Sequence, residues 1–131
     1  RQKLTEAMEL EAEISQSRTL IASCGSRGVV VADKTFTQSF LIAPDGTPTD
    51  WEVREFSALS PARLEQLCLV ESDVLMIGTG ASQCFPDPAL SQILARYGRS
   101  AEFMSSRAAC STFNVLALDD RQVMAAIILP L

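Results

Sequence analysis

Two stretches of this chain constrain its fold more than any others: Val74–Ile77 and Val123–Leu129 carry no polar side chain. A strand with one face in water alternates apolar and polar residues, whereas an unbroken apolar run must be covered on both faces. The residues around the two runs supply helices for that cover. Ser60-Pro61 places a capping hydroxyl before a proline at the first helical position, and Leu64, Leu67 and Cys68 then recur at helical spacing. Asp87-Pro88 opens a second helix with the apolar stripe Leu90, Ile93, Leu94 and Tyr97, closed by Gly98. Ala101–Met104 reads as a short strand. Ala108–Leu118 reads as a third helix with Ala109, Phe113 and Leu116 on one side, and Asp119-Asp120 turns the chain into the last strand. Strands alternating with helices imply crossover connections, and hence an α/β domain with a largely parallel sheet.

The first half has a different texture. Leu20–Cys24, Val29–Val31 and Ser39–Ile42 are short apolar or β-branched runs, separated by Gly25, Gly28 and Asp33-Lys34. Ala43-Pro44-Asp45-Gly46 is a turn signal, and Trp51–Phe56 alternates imperfectly, as an edge strand does. A β-meander alongside the α/β unit is the expectation. Residues 1–18 are Glu-rich; Leu4, Ala7, Met8 and Ile14 share a helical arc with Glu11, which reads as a marginal amphipathic helix or an acidic arm. With 131 residues and no internal repeat, residues 19–131 read as one domain.

Charge and cysteine usage narrow the function classes. The net charge is −5 and the eleven basic residues are scattered, which disfavours nucleic acid and anionic lipid as partners. No apolar run approaches the roughly 20 residues of a membrane helix, so no membrane insertion is expected. Cys24, Cys68, Cys84 and Cys110 are too widely spaced for metal pairs, and histidine is absent. No metal and no cofactor are therefore expected, and reduced thiols in a cytoplasmic setting are.

Two clusters look most like sites. Gly78-Thr79-Gly80-Ala81-Ser82 follows the first buried strand, at the carboxyl end where open α/β sheets bind ligands, although Gln83 stands where a dinucleotide fingerprint needs its third glycine. A tight turn explains the same residues. Ser105, Ser106, Arg107, Ser111, Thr112 and Asn114 begin the third helix; helix amino ends attract anions, and Arg107 adds a cation, while plain capping is the simpler reading. Both clusters end neighbouring strands and are expected to face one cleft. Arg121 is expected either to pair locally or to reach that cleft. Cys84 and Cys110 are the candidates for lowered thiol pKa, with burial as small hydrophobes the alternative. A serine or cysteine nucleophile usually needs a base, most often histidine, so no catalytic residue is assigned.

Several of these residues, taken in order, resemble the Mth938-like family: Ile77-Gly78-Thr79-Gly80, Phe85-Pro86, Phe103-Met104, Ala108–Leu116, Asp119-Asp120-Arg121 and Val123-Met124-Ala125-Ala126. Upstream, Ser39–Gly46 and Trp51 fit the same pattern, so the likeness spans residues 19–131. The resemblance implies a three-layer α/β domain with a mixed central sheet whose last strand runs against the others. It also implies a family without established enzymatic activity, one of whose mitochondrial members assists assembly of respiratory complex I. Ser111, Phe113 and Asp119 depart from the arginine, tyrosine and glutamate common there; if that arginine belongs to a family anion site, the site is weakened here, and Arg107 substitutes for it only in part.

The expectation is a non-enzymatic protein-binding or assembly factor, with another protein as partner. Homo-oligomerisation through an exposed patch of Phe36, Phe40 and Trp51 is compatible with it, and core burial explains the same three residues as well. The alternative is a small anionic-ligand-binding protein or enzyme, its cleft formed by Gly78, Thr79, Gly80, Ser105, Ser106, Arg107, Thr112, Asn114 and Arg121.

Overall fold

The computed structural model of the chain describes residues 19–131, so the arm expected over residues 1–18 lies outside the described residues. In chain order the elements are β1 (Ile21–Gly25), β2 (Gly28–Val31), β3 (Lys34–Phe36), β4 (Phe40–Ile42), β5 (Pro48–Asp50), a 3₁₀ turn (Phe56–Ala58), α1 (Pro61–Cys68), β6 (Val74–Gly78), α2 (Pro88–Arg96), β7 (Ala101–Met104), α3 (Ser106–Leu118) and β8 (Val123–Ile127). Strands β1, β2 and β3 form the antiparallel meander, and the other five form a sheet in the order β5-β4-β8-β6-β7.

The two apolar runs are the centre of that sheet, paired in parallel from Val74↔Val123 to Gly78↔Ile127. The sheet is mixed because β4 pairs antiparallel with both β8 and β5. The last strand therefore opposes β4 but runs parallel to β6. The reversal implied by the family resemblance holds on one side of β8 only.

Alternation along the central strands explains why neither tolerates a polar residue. Val123, Ala125, Ile127 and Leu129, with Met76, pack on the side of α3 and the meander. Met124, Ala126 and Ile128, with Leu75 and Ile77, pack against α1 and α2. Three layers result, with a core on each side of the sheet. Each helix starts as its sequence dictates: Ser60 Oγ accepts from Arg63 N at 3.2 Å, Asp87 Oδ1 from Leu90 N at 2.9 Å, and Ser105 Oγ from Ala108 N at 3.3 Å.

Three expectations change. Strand β3 is hidden in the sequence because the two-residue loop before it, Ala32-Asp33, contains no glycine; both residues nevertheless take positive φ, of 49° and 67°, as a tight hairpin demands. The edge strand is β5, not Trp51–Phe56. Trp51 and Val53 do point inward and Glu52 and Arg54 outward, but this extended segment joins no ladder. Finally, Phe36, Phe40 and Trp51 are buried and form no surface patch. Phe36 lies among Thr35, Thr37 and Gln38 and looks exposed as sequence; pairing β3 into the meander turns it inward, where it stacks on Phe40 at 4.6 Å between ring centroids.

The meander is tied to α3 by Asn114. Its amide donates to Ile21 O and its carbonyl accepts from Ile21 N, both at 2.8 Å, reproducing for one residue the pairing of a neighbouring strand. Removing the side chain strands two partly buried backbone groups, so Asn114→Ala is expected to destabilise by about 1–3 kcal/mol, measured by urea unfolding.

Candidate functional site

The carboxyl ends of β6 and β8 meet the amino end of α3, as the two sequence clusters suggested, but they meet as a closed joint. Ser106 is 0% exposed. Its hydroxyl donates to Ile128 O at 2.5 Å and accepts from Gly80 N at 2.8 Å, while its own N–H donates to Gly80 O at 2.9 Å. Thr79 N donates to Met104 O at 2.8 Å, and the Thr79 hydroxyl reaches Ser82 O at 2.6 Å and accepts from Cys84 N at 3.1 Å. These polar groups hydrogen-bond to one another, and Thr79 and Gly80 also line a depression above the joint.

Gly78 sets how close α3 lies. A Cβ there would come within 2.8 Å of Ser106 Oγ, 2.9 Å of Ser106 Cα and 3.2 Å of Ala109 Cβ. The glycine is needed for this approach of helix to strand, and Gly80 follows with a φ of 100°, a value that favours glycine.

The other predicted residues part company. Arg107 is exposed beside the joint and lines a pocket of about 260 Å³ with Arg27, Ser26, Thr37 and Leu129. Thr112 is half-buried in α3, and Asn114 is the clamp to Ile21. Arg121 precedes β8 and lines a small cavity with Thr19, Asp45 and Phe113, at the opposite end of the sheet from Gly78. It does not reach the joint. Nor is Cys110 an activated thiol: burial pushes it up, and a hydrogen bond to the Cys24 thiol pushes it further.

Over the joint lies a different surface, which the sequence clusters only half revealed. An open depression of about 450 Å³ is lined by Arg54, Phe56, Ala81, Cys84, Ile128 and Pro130, among others. Phe56 packs edge-on against Phe103 at 6.0 Å, and the neighbouring Phe85 is 74% exposed. Arg54 and Phe56 come from the segment after β5, some twenty residues before the glycine turn, and no local motif announces them. Gln83 Nε2 donates to Phe103 O at 3.1 Å and fixes the loop to the edge strand.

The fold and this surface define a class: a three-layer α/β domain with a mixed sheet and a packed meander, in which no three His, Cys, Asp or Glu side chains gather among the described residues. Residues 21–128 match the family described as protein of unknown function (DUF498/DUF598), and the chain belongs to it, within the Mth938-like group. A crystal structure of a Bordetella parapertussis protein superposes with a TM-score of 0.79 at 26% identity, over 87% of this chain and 98% of that one. A Bordetella pertussis protein described as a Mth938-like domain shares the fold at a TM-score of 0.69 and 24% identity, over 84% and 85%. Among curated relatives, a "13 kDa major membrane protein" of Francisella tularensis is 29% identical over 77 residues. "NADH dehydrogenase [ubiquinone] 1 alpha subcomplex assembly factor 3" of Drosophila melanogaster is 34% identical over 87 residues. These matches cover 59% and 62% of this chain but only 63% and 43% of the two relatives' lengths. Among the described residues no helix is long and apolar enough to cross a membrane.

The joint makes a direct prediction. Ser106→Ala leaves Gly80 N buried without its acceptor and is expected to cost about 1–3 kcal/mol in urea unfolding. Arg107→Ala, on the surface one residue away, is expected to stay within about 0.5 kcal/mol of the parent.

Proposed function

We propose that this protein is a non-enzymatic assembly factor that binds another protein through the surface over the carboxyl ends of β6 and β8. One observation carries the reading: the hydroxyls and N–H groups of the joint hydrogen-bond to one another, and the depression above it is lined by Phe56, Ala81, Cys84, Ile128 and Pro130 beside the exposed Arg54 and Glu55. Phe85, next to Cys84 in the chain, is exposed as well; aromatic and apolar side chains beside charged ones are the composition of a docking patch. The Drosophila relative's name, that of an assembly factor, supports the same role. The four free thiols, two of them buried, suit action in a reducing compartment such as the cytoplasm. The net charge of −5 argues for a protein and against a nucleic acid as the partner.

The pocket of Arg27 and Arg107 favours a second reading, an anionic small ligand held there and not in the joint. Among the described residues no acidic side chain lines it. A rise in melting temperature with inorganic phosphate that Arg107→Ala abolishes would support this reading; no rise would remove it.

For the docking surface, the test is crosslinking at native expression followed by mass spectrometry, comparing the parent with Phe85→Ser. The exposed ring contributes little to folding, so stability is expected to change by less than about 0.5 kcal/mol. Binding of the recovered partner is expected to weaken at least about tenfold, as for an aromatic anchor. An unchanged partner yield in Phe85→Ser would overturn this surface as the binding site.

A further inference from the structure

Outside the joint and the docking surface, one cluster of reactive groups stands unused. Cys24 ends the meander's first strand and Cys110 lies in the second turn of α3; both line one surface cavity of about 170 Å³, together with Ile21, Ser23, Ser111 and Asn114. Both belong to the same packed region, Cys110 buried within the core and Cys24 half-buried against it. The two thiols are neighbours across this cavity, close enough for Cys24 to help push the Cys110 thiol up. The Asn114 clamp, one helical turn along α3 from Cys110, holds β1 on the helix beside this cavity. Neither of the other thiols shares this seam: Cys68 packs in the core on the opposite side of the sheet, and Cys84 lies in the loop over the carboxyl end.

We infer that Cys24 and Cys110 form a thiol-disulfide oxidation site, which a low-molecular-weight disulfide converts into a covalent cross-link between β1 and α3. The exposures assign the order of events. The more accessible Cys24, as thiolate, attacks one sulfur of the small disulfide RSSR; the Cys24–S–S–R bond forms, the S–S bond of the reagent breaks, and RSH leaves with a proton from solvent. Cys110, having lost its proton to solvent, then attacks the Cys24 sulfur, forming Cys24–S–S–Cys110 and releasing the second RSH. Two thiols are oxidised and one disulfide is reduced. Burial of Cys110 makes the second step the slower one, because only the thiolate attacks. Cys24 lies beside the exposed Ser26-Arg27 hairpin turn, a short connection that can adjust to sulfur–sulfur bonding distance without disturbing the central sheet.

The sequence makes the test clean. Trypsin cleaves after Arg18, Arg27, Arg107 and Arg121, so Cys24 and Cys110 leave on separate peptides, 19–27 and 108–121, while Cys68 and Cys84 leave together on 64–96. The reduced full-length protein is treated with glutathione disulfide, quenched with iodoacetamide, digested without reductant and mapped. The expected product is a monomer in which 19–27 and 108–121 are joined, about 2 Da lighter than the two reduced peptides together, with peptide 64–96 fully alkylated. In Cys110→Ser, and in Cys110→Ala as a second variant, Cys24 is expected to accumulate as the glutathione adduct that the parent resolves. Three results would each overturn the inference in the parent protein itself: a persistent glutathione adduct on Cys24 with Cys110 alkylated, both thiols alkylated as in the untreated sample, or a Cys24–Cys24 dimer.

Discussion

The seating of α3 on the central strands is the constraint on which the rest of this structure depends. Gly78 lets the helix come down onto β6, and Ser106 then bridges two strands at once through Gly80 and Ile128. Because α3 is that close, Ala109 and Phe113 can cover Met76 and Ala125, and the meander can close over the same face. A larger side chain at either position would lift the helix and open that core, since interiors packed at crystal-like density absorb little extra volume.

The same joint shapes what the molecule can do. In many α/β proteins the backbone N–H groups at the carboxyl end of a sheet are left free for phosphates or cofactors. Here Gly80 N goes to Ser106, Thr79 N goes to Met104 O, and the Thr79 hydroxyl folds its own loop. Gly80 N and Thr79 N are thus engaged within the protein. The depression above them is lined by Phe56, Ala81, Cys84, Ile128 and Pro130 beside Arg54 and Glu55. Arg54 lines this depression, Arg107 and Arg27 line a second pocket, and Arg121 lies at the far end of the sheet.

Much of the architecture was legible because it rests on local chemistry and on period. The caps Ser60, Asp87 and Ser105 start their helices where the sequence places them, and the two all-apolar runs are the buried pair of strands. The failures share a cause. The hairpin at Ala32-Asp33 lacks the usual turn residues and takes its positive φ from the pairing around it. Phe36 stands in a polar stretch whose inward face exists only once β3 is paired. Trp51–Phe56 alternates as a strand does, but Trp51 N bonds to Ser39 O without a ladder to follow, so alternation recorded burial and not pairing.

The sequence by itself determined the layers: which runs are central strands, which stripes are helix faces, and that the chain carries neither histidine nor a basic stripe. It also placed the glycine turn and the amino end of α3 in the same region. What only the tertiary structure decided is which groups those residues hydrogen-bond to. That choice depends on partners 22 to 93 residues apart in the chain, Ser106 with Ile128 and Asn114 with Ile21. The meeting of Cys24 with Cys110, and of Arg54 and Phe56 with the glycine turn, has the same origin. Periodicity and capping act over a few residues and can be read along the chain, whereas hydrogen-bond satisfaction and side-chain proximity across a core are properties of the packed whole.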